Sequence, residues 1–132
     1  MGIDRTIRFA SGRLLTFEAV RDRLARSGFP VQVRMIDGQL AFPDEIPPES
    51  WCELRLGTPQ GMITVRRDAD QITCVTWGNA DRPLLQAWNA VTWAFAVAGD
   101  GTIHDPDGSR SAGEFFATAD LPAALQSERS NP

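Results

Sequence analysis

The stretch WCELRLGTPQGMITVRRDADQITCVTW, residues 51–77, contains three short runs of alternating side chains. The runs cover residues 51–56, 62–67 and 71–77, and turn-forming residues fill the gaps between them. In the first run Cys52, Leu54 and Leu56 share one side of a strand, because side chains alternate along it. The stretch therefore predicts an antiparallel three-stranded meander with one buried face and one mixed face.

The segment after the meander predicts the most apolar helix of the chain. It runs from Leu84 to Ala98 without a charged residue, and Asp81 and Pro83 suit its cap and first turn. The apolar positions form more than one stripe, so a sheet on one side alone would leave apolar surface in water. We therefore expect neighbours on two sides of this helix.

The first part of the chain predicts a short strand, a helix and a hairpin. Thr16 suits the cap of a helix that ends near Arg26. The pair Asp37-Gly38 lies between alternating runs and favours a two-residue hairpin turn.

Together these elements predict the α+β class and a single domain. We expect an antiparallel sheet of five to six strands, the hairpin plus the three-strand meander, packed by two main helices, with a short C-terminal helix. Residues 1–125 would form the domain, and residues 126–132 a flexible tail.

Length and composition also fit one globular domain. The chain has 132 residues, of which 42% are hydrophobic and 23% charged. No apolar run reaches the length of a membrane span, and the N-terminus lacks the apolar core of a signal peptide. We expect a cytoplasmic protein with reduced cysteines.

All thirteen basic residues are arginine, as a GC-rich bacterial genome would favour.

Charge is distributed unevenly along the chain. Residues 1–34 hold seven arginines and three acids, whereas residues 35–132 hold six arginines and fourteen acids. The basic end favours phosphate contacts, but the acidic remainder opposes them, and no motif of a known nucleic-acid reader is present. The pattern argues against nucleic-acid binding and suits a basic protein partner.

Few side chains suit catalysis or metal binding. His104 is the sole imidazole, and neighbouring Ser109 lacks the strained turn of a hydrolase nucleophile. The turn at residues 105–108 has part of the spacing of a calcium loop but not its leading carboxylate. Cys52 and Cys74 lack the spacing of zinc ligands. We therefore expect no metal and no cofactor. A non-catalytic protein is favoured over an enzyme, and an enzyme that uses His104 is the third hypothesis.

The tryptophans supply the binding hypotheses. Trp93 faces away from Trp88 on the predicted helix, and it forms an apolar surface patch unless the segment at Phe115-Phe116 covers it. The leading hypothesis is a small, non-catalytic bacterial protein-interaction domain, of an adaptor, regulatory or immunity-like kind, that binds a protein partner or itself. Its contact residues would be Trp93, Val97 and Ala90.

The alternative hypothesis is a carrier of a small apolar ligand. The meander would curve over the long helix and leave a cavity between sheet and helix. The residues lining that cavity would be Trp77, Trp88, Cys74 and Met62.

Overall fold

The computed structural model describes residues 2–10 and 16–129. The elements are, in chain order, β1 (Gly2–Arg8), α1 (Phe17–Arg26), β2 (Gln32–Ile36), β3 (Gln39–Leu40), β4 (Glu53–Thr58), β5 (Gly61–Asp68), β6 (Gln71–Trp77), α2 (Arg82–Gly99), β7 (Thr102–Asp105), β8 (Gly108–Ser111), α3 (Ala112–Thr118) and α4 (Ala123–Arg129).

All eight strands belong to one antiparallel sheet in the order β3-β2-β4-β5-β6-β1-β7-β8. The α+β class and the single antiparallel sheet are confirmed. The meander forms β4, β5 and β6, and β1 lies between β6 and β7. Among the described strands, β3 and β8 form the two edges of the sheet.

The predicted number of five to six strands is wrong. The additional hairpin consists of β7 and β8, four residues each. Their sequence shows little alternation, because β8 contains Gly108, Ser109, Arg110 and Ser111. The hairpin is held by pairing of β7 with β1, including Thr6 with His104, which lies far away in sequence.

Local capping signals act as the sequence predicts. Thr16 accepts a hydrogen bond from the backbone of Ala19, and Asp81 accepts one from Leu84. Asp37 and Gly38 both adopt the positive φ angles of the predicted hairpin turn, 50° and 84°. These features depend on neighbours within three residues, so sequence alone specifies them.

The C-terminal region contains two helices, α3 and α4, where one short helix was predicted. Glu128 on α4 accepts hydrogen bonds from Arg23 and Ser27, at 2.9 and 2.6 Å. The domain boundary at residue 125 and the flexible tail stay predictions, and residues 130–132 lie outside the described residues.

The apolar helix α2 is enclosed by its own chain. It contacts β1, β5, β6 and β7, and it also contacts α1 and α3. Eleven of its 18 residues are buried. The expected neighbours on two sides are therefore present within one subunit. None of the described helices combines the length and hydrophobicity of a membrane span.

The described helices cover one face of the sheet, and no other described segment covers the opposite face. Along β6, Ile72 and Cys74 are buried beneath α2, whereas Trp77 projects into solvent from the opposite face. We call this second surface the open face.

Candidate functional site: the open face and edge of the sheet

Strand pairing fixes which side chains are neighbours on the open face, since directly paired residues project to the same side. One row of paired residues crosses six strands. It consists of Leu40, Met35, Arg55, Thr64, Val75 and Asp4. The row begins at the β3 edge with apolar side chains and ends on β1 with a carboxylate.

A groove of about 650 Å³ lies on this open face, across β4, β5, β6 and β1. Trp77 and Met62 are its exposed apolar lining residues. Gly2 pairs with Trp77, and Gly57 pairs with Met62. Glycine adds no side chain beside the indole ring or the thioether, although Val75 Cγ1 stands 3.1 Å from the position that a Cβ atom of residue 2 would take. The volume lies within the range of small-ligand pockets.

Arg34 lies across the open face at Gly57. A Cβ atom at residue 57 would stand 2.7 Å from Arg34 Nε and 3.4 Å from Arg34 Cγ. The register between β2 and β4 shifts between Val33 and Met35, and this bulge changes the direction of Arg34. Because of this bulge, and because Gly57 has no side chain, Arg34 of β2 extends over β4 two residues from Arg55.

The arginines of the open face differ in their pairing. Arg66 Nε donates to Glu53 Oε1 at 3.0 Å, which balances the charge of Arg66. The side chains of Arg34 and Arg55 make no ion pair or hydrogen bond with any residue in 2–10 or 16–129. The charges of these two arginines, on β2 and β4, are thus available to a ligand.

The β3 edge carries the most exposed apolar side chains of the described chain. Leu40 is 87% exposed and Phe42 is 76% exposed, and Ile46 is also exposed. We call Leu40, Phe42 and Ile46 the edge surface. The backbone of Ala41 donates to Arg34 O at 3.0 Å, so the N–H and C=O of Leu40 point away from β2.

The sequence did not reveal the edge surface. Alternation placed Leu40 and Phe42 in a predicted strand, where an apolar side chain normally faces a core. The strand stops at Leu40, and the following loop carries Phe42 and Ile46 into solvent. A cluster of prolines and acids after Phe42 is the signal that marks this loop.

The three predicted partner-binding residues do not form an exposed patch in the single chain. Trp93 is 5% exposed and stacks on Phe116, with ring centroids 4.8 Å apart and planes inclined by 38°. The guanidinium of Arg23 lies 4.7 Å from the Trp93 ring centroid. Ala90 is buried, whereas Val97 is 39% exposed.

The four predicted cavity residues lie on two faces of the sheet. Trp77 and Met62 line the groove on the open face. Trp88 and Cys74 are buried on the helix side, where Trp88 Nε1 donates to Cys74 O at 2.8 Å. Only Trp77 and Met62 of the four are brought together around a pocket.

His104 meets Ser109 across the β7–β8 hairpin, with Nδ1 and Oγ 2.8 Å apart. An open cleft of about 410 Å³ adjoins His104 and is also lined by Asp4, Thr6 and Arg8. The pair has the proton-sharing contact that a serine nucleophile needs. Among the described residues, no carboxylate hydrogen-bonds to this imidazole in the way a third group orients a catalytic base.

A buried polar cluster lies beneath β1, on the helix side. The guanidinium of Arg5 lies 4.0 Å from the Trp88 ring centroid and 5.0 Å from that of Phe115. Asp105 Oδ2 is 3.5 Å from Arg5 and 2.8 Å from Arg110. Burial lowers the pKa of Arg5, and the Asp105 carboxylate opposes that shift. The cluster joins β1 to the β7–β8 hairpin and to α3.

No group of three or more histidine, cysteine or acidic side chains within the described residues is arranged to hold a metal ion. Fold and site together define a small α+β protein with an eight-stranded antiparallel sheet, one face of which is left uncovered by the described residues. Comparison with protein-family models, with curated proteins and with solved structures gives no significant match.

Proposed function

We propose that this protein is a non-catalytic protein-interaction domain and that the edge surface is its docking site. The observation that carries the proposal is the exposure of Leu40 and Phe42 beside the free edge of β3. Neighbouring large apolar side chains in water mark interaction sites. A strand edge with free backbone groups is also a surface to which another chain can add.

Charges around the edge surface indicate the chemistry of the partner. Asp44, Glu45 and Glu49 lie in the loop that carries Phe42 and Ile46. An apolar centre with an acidic rim is complementary to an apolar surface with a rim of arginine or lysine. A second copy of this chain would bring the same acids face to face, so a different, basic protein is the favoured partner.

The proposed docking site is at the sheet edge rather than on α2. Trp93 and Ala90 have their apolar contacts inside the chain, and Val97 is their exposed neighbour. An adaptor, regulatory or immunity-like role, bacterial origin and a cytoplasmic location remain part of the proposal.

The test begins with capture of binding proteins from a lysate of the source organism and purification of the captured protein. Its affinity is then measured by calorimetry for the wild type, Phe42→Ser and Val97→Ser. We expect Phe42→Ser to weaken binding at least about tenfold, because interface aromatics dominate binding energy. Val97→Ser is the matched control, since it changes an exposed apolar residue elsewhere and should leave affinity unchanged.

Ionic strength supplies the second readout. Affinity should fall as salt rises, because opposite charges across the rim are screened. Equal affinity of Phe42→Ser and wild type would overturn the proposal. So would the absence of any captured protein together with a light-scattering mass of two subunits, which would identify a second copy as the occupant.

The other two hypotheses concern different parts of the fold. A carrier of an apolar ligand would use the groove at Trp77 and Met62 rather than a cavity between sheet and helix. An enzyme would use His104 with Ser109, whose 2.8 Å contact is the observation in its favour. An ester-hydrolysis screen tests the enzyme hypothesis, because turnover lost in both His104→Ala and Ser109→Ala would support it.

A further inference from the structure

The groove on the open face combines an exposed aromatic ring with unbalanced positive charge. We infer that it binds a small molecule in which a planar aromatic ring is joined to an anionic group, either a phosphate or a carboxylate. This inference goes beyond the proposed docking function, because it concerns Trp77, Met62 and Arg55 rather than the β3 edge.

Trp77 supplies the surface for the planar ring. It is 63% exposed, whereas Trp51, Trp88 and Trp93 are all buried. Met62 borders the same groove, and a thioether makes favourable contacts with aromatic rings. The groove of about 650 Å³ lies against this exposed indole, so a flat ring has room to stack there.

Arg55 supplies the contact for the anionic group. Its guanidinium has no described protein partner, and the planar fork of arginine matches a carboxylate or a phosphate in two parallel hydrogen bonds. Arg34, folded over Gly57, adds a second unpaired guanidinium on the neighbouring strand. Arg66 already shares its charge with Glu53.

Asp4 is the acid that lines the groove. It lies too far from Arg55 to neutralise the positive charge of that guanidinium. Arg55 and Asp4 stand at opposite ends of a row that spans β4, β5, β6 and β1. Three strand spacings amount to about 14 Å, which exceeds the Debye length of about 10 Å at 0.1 M salt. An anion at Arg55 is therefore attracted there with little repulsion from Asp4.

The size and charge of the site favour a small ligand over a nucleic-acid strand. The groove volume of about 650 Å³ suits one ring system and one anionic group. The chain carries a net charge of −4, which repels a polyanion along its length but costs little for a ligand with a single anionic group.

The binding test uses two complete probes and two incomplete ones. Adenosine monophosphate joins a ring to a phosphate, and indole-3-acetate joins a ring to a carboxylate. Adenosine and inorganic phosphate each lack one part. Calorimetry and quenching of tryptophan fluorescence measure binding to the full chain. We expect at least one complete probe to bind ten times tighter than both incomplete probes.

Variants locate the binding. Arg55→Gln and Trp77→Ala should each weaken binding of the stronger probe at least tenfold. Arg26→Gln on α1 is the matched control for lost charge, and Phe42→Ser shows that the edge surface is separate; both should bind as wild type. Circular dichroism confirms that each variant is folded. Complete probes that bind no tighter than incomplete ones, or equal losses in Arg26→Gln and Arg55→Gln, would overturn the inference.

Discussion

The ring of Phe116 covers Trp93, with centroids 4.8 Å apart and planes inclined by 38°. Trp93 is part of the core, because α1 and α3 pack on the side of α2 that the sheet does not reach. Trp93 is therefore buried without any contact from a partner subunit. Apart from Val97, the exposed large apolar side chains among the described residues lie on the edge surface and the open face.

The first prediction concerns the stability of the Trp93 site. Trp93→Ala should lower the free energy of unfolding by about 3 kcal/mol or more, because it leaves a large cavity between α2 and α3. Urea denaturation measures the loss. Val97→Ala on the same helix is the control and should change stability far less. An unchanged unfolding midpoint in Trp93→Ala, together with a halved mass in light scattering, would show that Trp93 lies in a subunit interface.

The second prediction concerns the buried ion pairs of Asp105. Asp105→Asn should destabilise the fold by about 2–3 kcal/mol, because Arg5 and Arg110 would keep their charges after losing the carboxylate. The figure lies below that for a fully buried pair, since Arg110 is partly exposed. Thermal unfolding followed by circular dichroism is the measurement.

The exposed pair of Arg82 and Asp120 provides the control for Asp105→Asn. Arg82→Gln should leave the melting temperature nearly unchanged, because water screens an exposed pair. If Asp105→Asn and Arg82→Gln both melted at the wild-type temperature, the ion pairs of Asp105 with Arg5 and Arg110 would make no measurable contribution to stability.

The third prediction is a loss of stability in acid. Backbone N–H donors of Glu53 and Cys52 hold the pKa of Asp37 below its ordinary 3.8. Hydrogen bonds from Arg23 and Ser27 hold the pKa of Glu128 below its ordinary 4.5. Each lowered pKa stabilises the fold above the unfolded-state value, and the stabilisation is lost as pH falls through the folded-state value.

The urea midpoint should therefore stay level near neutral pH and fall below about pH 4.5, where the unfolded chain binds protons first. Glu128→Gln should show a smaller decrease than wild type between about pH 4.5 and pH 3. A midpoint that stays constant down to about pH 3 in the wild type would contradict the linkage.

The fourth prediction separates the two cysteines by reactivity. Burial raises the pKa of the Cys74 thiol to about 12, so almost no thiolate exists near neutral pH. Cys52 is exposed, and both cysteines are free thiols. Iodoacetamide should add once to the native protein and twice to the urea-unfolded protein, as counted by mass spectrometry. Rapid modification of Cys74 in the native state would show that α2 opens readily from the sheet.

The sequence by itself determined the structural features that depend on residues close together in the chain. Caps, the turn at Asp37-Gly38 and the alternation of the meander depend on residues close in the chain, and the structure contains each of them. Of the candidate groove, alternation alone separated the two faces of the meander strands. It did not show that the helices leave Trp77 and Met62 uncovered.

Only the tertiary structure decided the rest, because burial depends on neighbours distant in sequence. Phe116 determines that Trp93 is internal, and pairing with β1 determines that the polar hairpin β7–β8 joins the sheet. A bulge and a close approach to Gly57 determine where Arg34 lies. The sequence specifies the chemistry of each side chain. The packing of the whole chain determines which side chains remain in contact with water.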